Sequence, residues 1–404
     1  MQRSGYADMP LHYGHVPPWL AERMVKLSRA IIENIVYDYG KDEVLRRLSD
    51  PFWFQSLGCV IGMDWHSSGI TTTVMGALKK AINPLSHEIG IYVCGGRGKF
   101  SRQTPDELIK IADKKSLNGN DLVYKSRFTA KIDNTAIQDG FQLYLHSFIL
   151  TDQGNWTVVQ QGMNQQTSQA RRYHWHSPQI KSFLEEPHTS IYGQNQGQIL
   201  NLTHKDAASS KEGIIRLTQE TPHLMLEEIK KIVMPKHHEL RSSDVNLKRL
   251  GAMLAVAHEK QFRDFEPLLM LEGVGPRTVQ SLALVSEVIH GTPTRFSDPA
   301  RFSFAHGGKD GHPLPVPVKT YDETISFLRD NIEKSKMGVS DKNNALKALV
   351  KVSQAQENDF IPNNNFEDIV EKERSDSWKY GGRTVFGNAK KPHHLKITQL
   401  NLFD

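Results

Sequence analysis

The stretch FQLYLHSFILTDQGNWTVVQQ, residues 141–161, decides the fold class of this chain. Two runs rich in β-branched and aromatic residues, 141–150 and 156–161, flank the turn sequence Asp152-Gln153-Gly154-Asn155. Such runs, separated by a short polar turn with glycine, predict an antiparallel hairpin. We therefore expect a β-sheet in the N-terminal half of the chain.

Helical patterns surround this hairpin. After Pro18, apolar residues recur at helical spacing on one face as far as Ile35. Thr104-Pro105-Asp106-Glu107 predicts a helix start, with Thr104 as N-cap, a proline at the first position and a capping-box glutamate. Beyond residue 211 strand signals nearly vanish and helical spacing dominates. The predicted fold class is α+β, with a mixed α/β domain followed by a mainly α-helical domain.

The length of 404 residues exceeds what one hydrophobic core usually spans, so two domains and a tail are expected. Residues 1–186 form the predicted mixed α+β domain, which would carry catalysis. Residues 187–211, rich in Gln, Asn, Ser, Thr and Gly, are a predicted linker or loop, and residues 212–354 a helical domain. Residues 355–404 are predicted to be a flexible tail, because they combine an asparagine run, charged residues and paired glycines.

Composition narrows the class of protein. The formal net charge of +5 is a mild basic excess, compatible with a polyanionic partner. Two cysteines cannot build a disulfide framework or a multi-cysteine zinc site. No stretch approaches the roughly 20 apolar residues that cross a bilayer, and the N-terminus lacks an apolar signal core. We expect a cytoplasmic, nucleoid-associated protein without membrane contact.

The sequence Leu271-Glu272-Gly273-Val274-Gly275-Pro276-Arg277-Thr278-Val279 follows the hairpin pattern of helix-hairpin-helix DNA-binding modules, with apolar helical segments on both sides (265–289). The two glycines permit a tight turn. Because the next helix starts at Pro276 or Arg277, backbone N–H groups and the positive helix end face one point, where a phosphate can bind. The candidate DNA contacts in this motif are Gly273, Val274, Gly275, Arg277 and Thr278. The alternative is an ordinary glycine-rich turn between core helices.

Other basic residues are expected to share DNA binding, since a single such hairpin is usually weak. The candidates are Lys99, Arg171, Arg172 and Lys309. Lys309 belongs to the cluster His306-Gly307-Gly308-Lys309-Asp310-Gly311-His312-Pro313, which fits a phosphate nest, a catalytic loop or a structured turn equally well.

Groups suited to metal-assisted phosphodiester hydrolysis lie between residues 64 and 176. Asp64-Trp65-His66-Ser67-Ser68-Gly69 precedes a helix predicted to begin near Thr71 and could hold phosphate or metal. His146 alternates with Gln142 and Tyr144, so we expect it to project among polar neighbours. The candidate catalytic residues are Asp64, His66, Lys131, Asp133, Asp139, His146 and Gln160. The candidate ligands for Mg²⁺ or Mn²⁺ are Asp64, His66, Asp133 and Asp139.

Alternatives to this assignment remain open. Asp133 and Asp139 could cap or punctuate turns, and His174 and His176 could be surface or core-edge residues. No complete nuclease signature is readable in the sequence, so the reaction is inferred from context.

Several motifs resemble those of one prokaryotic family, labelled domain of unknown function 763. The residues that carry the resemblance are Leu11–Gly14, Pro17–Leu20, Asp64–Gly69, Cys94–Lys99, Val158–Met163, Ala170–Trp175 and His306–Pro313. The resemblance covers about residues 3–350. It implies no established activity, although nuclease activity has been suggested for members, and it does not say which residues are catalytic.

The C-terminal sequence Gln399-Leu400-Asn401-Leu402-Phe403 resembles the pentapeptide by which bacterial proteins bind the sliding clamp. Gln399 can pair with backbone in a groove, while Leu400, Leu402 and Phe403 fill apolar pockets. The alternative is a terminal strand that docks on the protein's own surface.

Three functions follow as hypotheses. The first is a metal-dependent DNA nuclease of repair or replication, recruited to the sliding clamp and possible as a homodimer. The second is a DNA glycosylase, in which Asp298 or Asp310 supplies the acid downstream of the hairpin. The third is a non-catalytic DNA-binding clamp adaptor with structural polar clusters.

Overall fold

The computed structural model describes residues 16–63, 69–223, 225–226, 247–294, 296–300 and 318–359. None of the helices in these ranges is both long and apolar enough to cross a membrane.

Within the described residues, five α-helices precede the first strand. They are α1 (Pro18–Tyr39), α2 (Lys41–Leu48), α3 (Pro51–Val60), α4 (Gly69–Ile82) and α5 (Ser86–Ile89). The face of α1 that the periodicity predicted is buried, including Met24, Ile31 and Ile35. Asp50 caps α3, because its carboxylate accepts the backbone N–H groups of Phe52 and Trp53.

A five-stranded antiparallel sheet forms the centre of the fold. Its strands are β1 (Ile91–Arg97), β3 (Gln142–Thr151), β4 (Trp156–Asn164), β5 (Gln169–His176) and β6 (Ser190–Tyr192), in the order β1-β3-β4-β5-β6. The predicted hairpin is confirmed as β3 and β4, which pair Leu150 with Trp156 and His146 with Gln160. A second sheet joins β2 (Ile137–Gln138), β7 (Gln198–Asn201) and β8 (Phe296–Ser297).

The remaining helices follow β1. They are α6 (Thr104–Lys115), α7 (Gly119–Lys131), α8 (Ala208–Gln219), α9 (Leu247–Lys260), α10 (Phe265–Met270), α11 (Pro276–His290), α12 (Val318–Lys334) and α13 (Val339–Asp359). The start of α6 was predicted, but Thr104 does not cap it. Its hydroxyl donates to the carbonyl of Ser101 at 2.8 Å.

Helices cover both faces of the five-stranded sheet. On one face Phe148, Val158 and Trp175 share a core with residues of α7, α8, α10 and α11, such as Leu282. On the other face Ile149 and Val159 pack with α1 to α4 and α12. The helices beyond residue 208 therefore share the core of the sheet, so the predicted boundary between two domains does not interrupt the core.

Two expectations about irregular segments differ from the structure. Residues 187–211, predicted to be a loop or linker, contain β6, β7 and the start of α8. Their polar side chains satisfy backbone groups: Asn201 Oδ1, for example, accepts the N–H of Thr203 at 3.0 Å. Helix α13 continues to Asp359, past the predicted start of the tail at 355. Residues 360–404 lie outside the described residues.

Candidate functional site

Asp133 is the centre of a buried polar network on one face of the sheet. It lies in a π-helical turn (Ile132–Ala136) that continues from α7. Its carboxylate accepts from Gln160 Nε2 at 2.5 Å and from Trp175 Nε1 at 3.0 Å, and His188 Nε2 lies 2.5 Å away. Burial raises the pKa of Asp133, and His188, Trp175 and Gln160 offset part of that effect. All three neighbours reach this carboxylate from distant parts of the chain.

His146 extends the network to α7. Its Nδ1 lies 2.9 Å from Gln160 Oε1, and its Nε2 lies 2.8 Å from Ser126 Oγ. Burial lowers the pKa of His146 to about 4, against a smaller opposing effect of the Gln160 hydrogen bond. The imidazole is therefore neutral near pH 7, with Nδ1 donating to the amide oxygen and Nε2 accepting from the hydroxyl.

The hydroxyl of Ser126 lies within hydrogen-bond distance of the His146 imidazole, as a serine nucleophile does to its general base. Ser126 is only 3% exposed, however, so its hydroxyl does not face a substrate in this structure. The chain of hydrogen bonds from Ser126 to Asp133 instead fixes α7 against β3 and β4. Three of the predicted catalytic residues, Asp133, His146 and Gln160, are thus brought together, but away from solvent.

Asp139, another predicted metal ligand, is bound to Arg171. Arg171 Nη1 lies 2.7 Å from Asp139 Oδ2, and Arg171 Nη2 lies 2.7 Å from Asp298 Oδ2. Tyr173 donates its hydroxyl to the same Asp139 oxygen at 2.7 Å. Burial raises the pKa of Asp139, with Arg171 acting in the opposite direction. This buried triad ties β5 to the segment that contains β8.

Arg172 points to the opposite face of β5 and has a different environment. It is fully buried, and no carboxylate of the described residues forms an ion pair with it. Its hydrogen-bond acceptors are His174 Nε2 (2.8 Å), Gln55 Oε1 (3.0 Å), the Pro51 carbonyl (3.3 Å) and Thr71 Oγ1 (3.4 Å). The rings of Phe54 and Tyr192 lie against it at 4.6 and 4.9 Å. Burial lowers the pKa of Arg172 to about 10.

The prediction that Arg171 and Arg172 contact DNA is corrected by this geometry. Both guanidinium groups are completely buried and bound by protein groups, so neither can reach a phosphate in this structure. Arginine is mostly exposed in proteins, so two adjacent arginines in the sequence do not by themselves indicate burial.

The predicted glycine turn lies between α10 and α11. Gly273 has a φ of 84°, a left-handed conformation that favours glycine, and Val274 is buried. Arg277 is exposed in the first turn of α11, whereas the Thr278 side chain is buried. Lys131 Nζ donates to the Val274 carbonyl, and Gln138 Nε2 donates to the Pro276 carbonyl at 2.7 Å. Lys131, predicted to be catalytic, therefore holds the turn.

Lys99 lies in an exposed 3₁₀ segment, Gly98–Gln103, that follows β1. The remaining predicted site residues lie outside the described residues: Asp64, His66, Lys309, Asp310, Gln399, Leu400, Leu402 and Phe403. Within the described ranges, no group of three or more His, Cys, Asp or Glu side chains is arranged to hold a metal ion.

Sequence reasoning missed Ser126, Trp175 and His188 as members of the network. His188 follows Pro187 in the segment that was taken for a linker, and it contacts a residue 55 positions earlier. No local pattern marks such a contact. The predicted alternation of Gln142, Tyr144 and His146 on one face of β3 is wrong, because a β-bulge between Leu143 and Leu145 shifts the register. Gln142, opposite Met163, and His146, opposite Gln160, therefore lie on opposite faces. The polar neighbours expected for His146 are present as Ser126 and Gln160.

The fold thus defines an antiparallel-sheet protein with helices on both faces, buried polar networks and a glycine turn between two helices. A family model described as "Protein of unknown function (DUF763)" matches residues 5–316. The match spans well over half of the chain, so the protein belongs to this family, as the sequence motifs predicted. No curated protein and no solved structure gives a significant match.

Proposed function

We propose that this protein binds DNA through the phosphate backbone at the turn between α10 and α11. The observation that carries the proposal is the start of α11, where Gly275 occupies the N-cap position without a side-chain cap and Arg277 is exposed in the first turn. The first N–H groups of a helix have no partner within the helix, and the positive helix end favours an anion. A phosphate satisfies both requirements, with the guanidinium as second contact.

The turn is also held rigidly, which supports a binding role. Lys131 and Gln138 fix two successive parts of its backbone, and Tyr124 on α7 donates to Glu266 Oε1 on α10 at 2.6 Å. A turn whose backbone is already ordered loses less conformational entropy on binding. Contacts of this kind position DNA without reading its sequence, so we expect binding that is independent of base sequence.

Fluorescence anisotropy with a labelled 20-base-pair duplex tests the proposal. Arg277→Ala should weaken binding and reduce the slope of log Kd against log salt concentration by about one. Arg329→Ala, at an exposed position of α12 against the other face of the sheet, is the matched control and should bind like the unaltered protein. Equal affinity and equal salt dependence for both variants would overturn the proposal.

A second candidate function, a metal-dependent DNA nuclease, now depends on Asp64 and His66. Asp133 and Asp139 are fully committed to protein donors, so we no longer propose them as ligands. The observation that favours this candidate is the group of carboxylate, imidazole and hydroxyl side chains of Asp64, His66, Ser67 and Ser68 before a helix start, a combination that can hold phosphate or metal. The sequence Asp64–Ser68 precedes α4 directly.

Cleavage of single-stranded and branched DNA with Mg²⁺ or Mn²⁺ tests this candidate. Asp64→Asn and His66→Ala should abolish cleavage but leave the duplex affinity of the Arg277 site intact. Cleavage that persists in both variants, or no cleavage by folded protein with either metal, would exclude the nuclease at this position.

The glycosylase hypothesis loses one of its two acids. Asp298 is buried, paired with Arg171, and accepts the backbone N–H groups of Gln196 and Ala300. Its carboxylate is therefore not free to assist base release. Asp310 lies outside the described residues.

We also propose that the C-terminal peptide recruits the protein to the bacterial sliding clamp. The support is the sequence pattern of Gln399, Leu400, Leu402 and Phe403. Removal of residues 399–404 should abolish binding to an immobilised clamp while duplex affinity stays unchanged. Loss of both activities would identify the peptide as a structural terminus instead.

A further inference from the structure

The segment that follows β1 is firmly anchored at its base. Gly95 N donates to Glu107 Oε2 at 2.6 Å, and Lys79 Nζ donates to the Gly95 carbonyl at 2.8 Å. Lys79 also pairs with Glu107 at 2.7 Å, which closes a small ring of interactions. Gly95 has a φ of 80°, and a Cβ there would lie 2.3 Å from the His146 carbonyl oxygen. The direction in which the chain leaves β1 is therefore fixed.

Beyond this anchor the side chains are cationic and exposed. Arg97, Lys99 and Arg102 face solvent, and none of them forms an ion pair with a carboxylate of the described residues. Residues 95–103 contain no acidic residue. Hence three positive charges within six positions are available to an external anion.

An aromatic ring lies among these charges. Phe100 is 47% exposed, although a phenylalanine gains by burial, and Lys99 Nζ lies 5.5 Å from its ring centroid. A base that stacks on this ring would have its phosphate within reach of the neighbouring cations. Exposed aromatic rings between positive charges are the usual means of binding single-stranded nucleic acid without sequence preference.

The loop of residues 98–103 and the glycine turn are connected through β3 and α7. Ser126 of α7 contacts His146, whose carbonyl borders Gly95, and Lys131 at the end of α7 contacts Val274 in the turn. Ser126 and Lys131 are separated by only about 7.5 Å along the helix axis, at roughly 1.5 Å per residue. Helix α7 therefore contacts the glycine turn directly and the base of the loop through His146.

We propose that Arg97, Lys99 and Arg102 bind the phosphates of single-stranded DNA whose bases stack on Phe100. The choice of DNA rests on the proposed function, but the two proposals are tested with different probes. A single accessible ring requires an unpaired base, so this loop selects single strands, whereas the helix end at the turn binds backbone of a duplex.

Anisotropy of labelled dT20 and of the 20-base-pair duplex with the full-length protein tests the proposal. Phe100→Ala should weaken dT20 binding about tenfold, the order expected for one lost base stack, and leave duplex affinity within twofold. Lys99→Gln should weaken dT20 binding and reduce its salt dependence. The matched controls are Tyr37→Ala and Lys26→Gln, an exposed aromatic residue and an exposed lysine on α1.

Three results would overturn the inference. Phe100→Ala could bind dT20 like Tyr37→Ala, which would remove the stacking role. Phe100→Ala could weaken dT20 and duplex equally, which would make the loop a duplex contact. A labelled U20 could bind more than tenfold tighter than dT20 with the same response to Phe100→Ala, which would identify RNA as the ligand. Failure of Arg277→Ala to affect the duplex would overturn only the function proposed for the turn.

Discussion

Lys131 donates a hydrogen bond to the backbone carbonyl of Val274, across 143 positions of sequence. The bond joins the end of α7 to the glycine turn. Burial lowers the pKa of Lys131, yet its ammonium is satisfied by a carbonyl and has no carboxylate partner within the described ranges. This contact makes Lys131 a positioning residue for the turn, in contrast to the catalytic role that its sequence context predicted.

Lys131→Met should weaken duplex binding threefold to tenfold, because the turn loses an anchor while the packing of the side chain is largely kept. Its salt dependence should stay unchanged, since Lys131 touches no phosphate. Arg277→Ala should lower both affinity and salt dependence. Anisotropy titrations over a range of salt concentrations separate these outcomes. A salt dependence for Lys131→Met that falls as far as that of Arg277→Ala would show that Lys131 contacts DNA directly.

Arg171→Leu should destabilise the protein by about 3–5 kcal/mol, because it leaves the buried carboxylates of Asp139 and Asp298 without their cation. Urea unfolding followed by tryptophan fluorescence measures the change. Arg46→Leu is the control, since the Arg46 side chain is 46% exposed where it pairs with Glu43, and loss of such a surface pair should cost at most about 1 kcal/mol. If Arg171→Leu does not fold, Arg171→Lys should fold with intermediate stability. Equal losses for Arg171→Leu and Arg46→Leu would contradict the argument.

His146 should make stability fall in mild acid. Its folded-state pKa of about 4 lies below the ordinary value of 6.5, so the neutral form is favoured in the folded state. The contribution of the neutral His146 side chain to the free energy of unfolding is complete above pH 6.5 and is lost as the pH falls through about 4. The shift corresponds to about 3 kcal/mol. The free energy of unfolding should be measured for the unaltered protein and for His146→Gln at pH 4.5, 5.5 and 7.5. The difference between the two proteins should shrink as the pH falls. A difference that stays constant would show that another group causes the loss of stability in acid.

Gly95→Ala should destabilise the protein far more than Gly98→Ala. Both positions have positive φ, 80° and 59°, so each alanine adds backbone strain of about 1–2 kcal/mol. Only at Gly95 would the new Cβ also meet the His146 carbonyl and Thr104 Oγ1, at 2.3 and 2.5 Å. We expect a difference of several degrees in Tm between the two variants in a thermal melt. Equal melting temperatures would mean that the backbone around Gly95 can shift to accommodate a Cβ at little cost.

Local patterns in the sequence were sufficient for several elements. The β3–β4 hairpin, the start of α6 and the buried face of α1 follow from spacing over a few residues, because side chains two, three or four positions apart share a face. The family membership followed from short motifs of consecutive residues, which can be recognised without any tertiary contact. The strands β6 and β7 escaped prediction, since they have only three and four residues, too few to show an alternating pattern. Pairing with β5 stabilises β6, and pairing with β2 and β8 stabilises β7.

The role of each polar residue was decided by tertiary structure. Arg171 and Arg172 are adjacent, yet they project from opposite faces of β5. Arg171 meets two aspartates, whereas Arg172 meets only neutral groups among the described residues. Local sequence was enough to show that acidic, imidazole and basic groups are concentrated around the hairpin and that a glycine turn lies between two helices. Only the tertiary structure determined that Asp133, Asp139 and His146 are buried, because burial depends on helices that pack on the sheet from far along the chain.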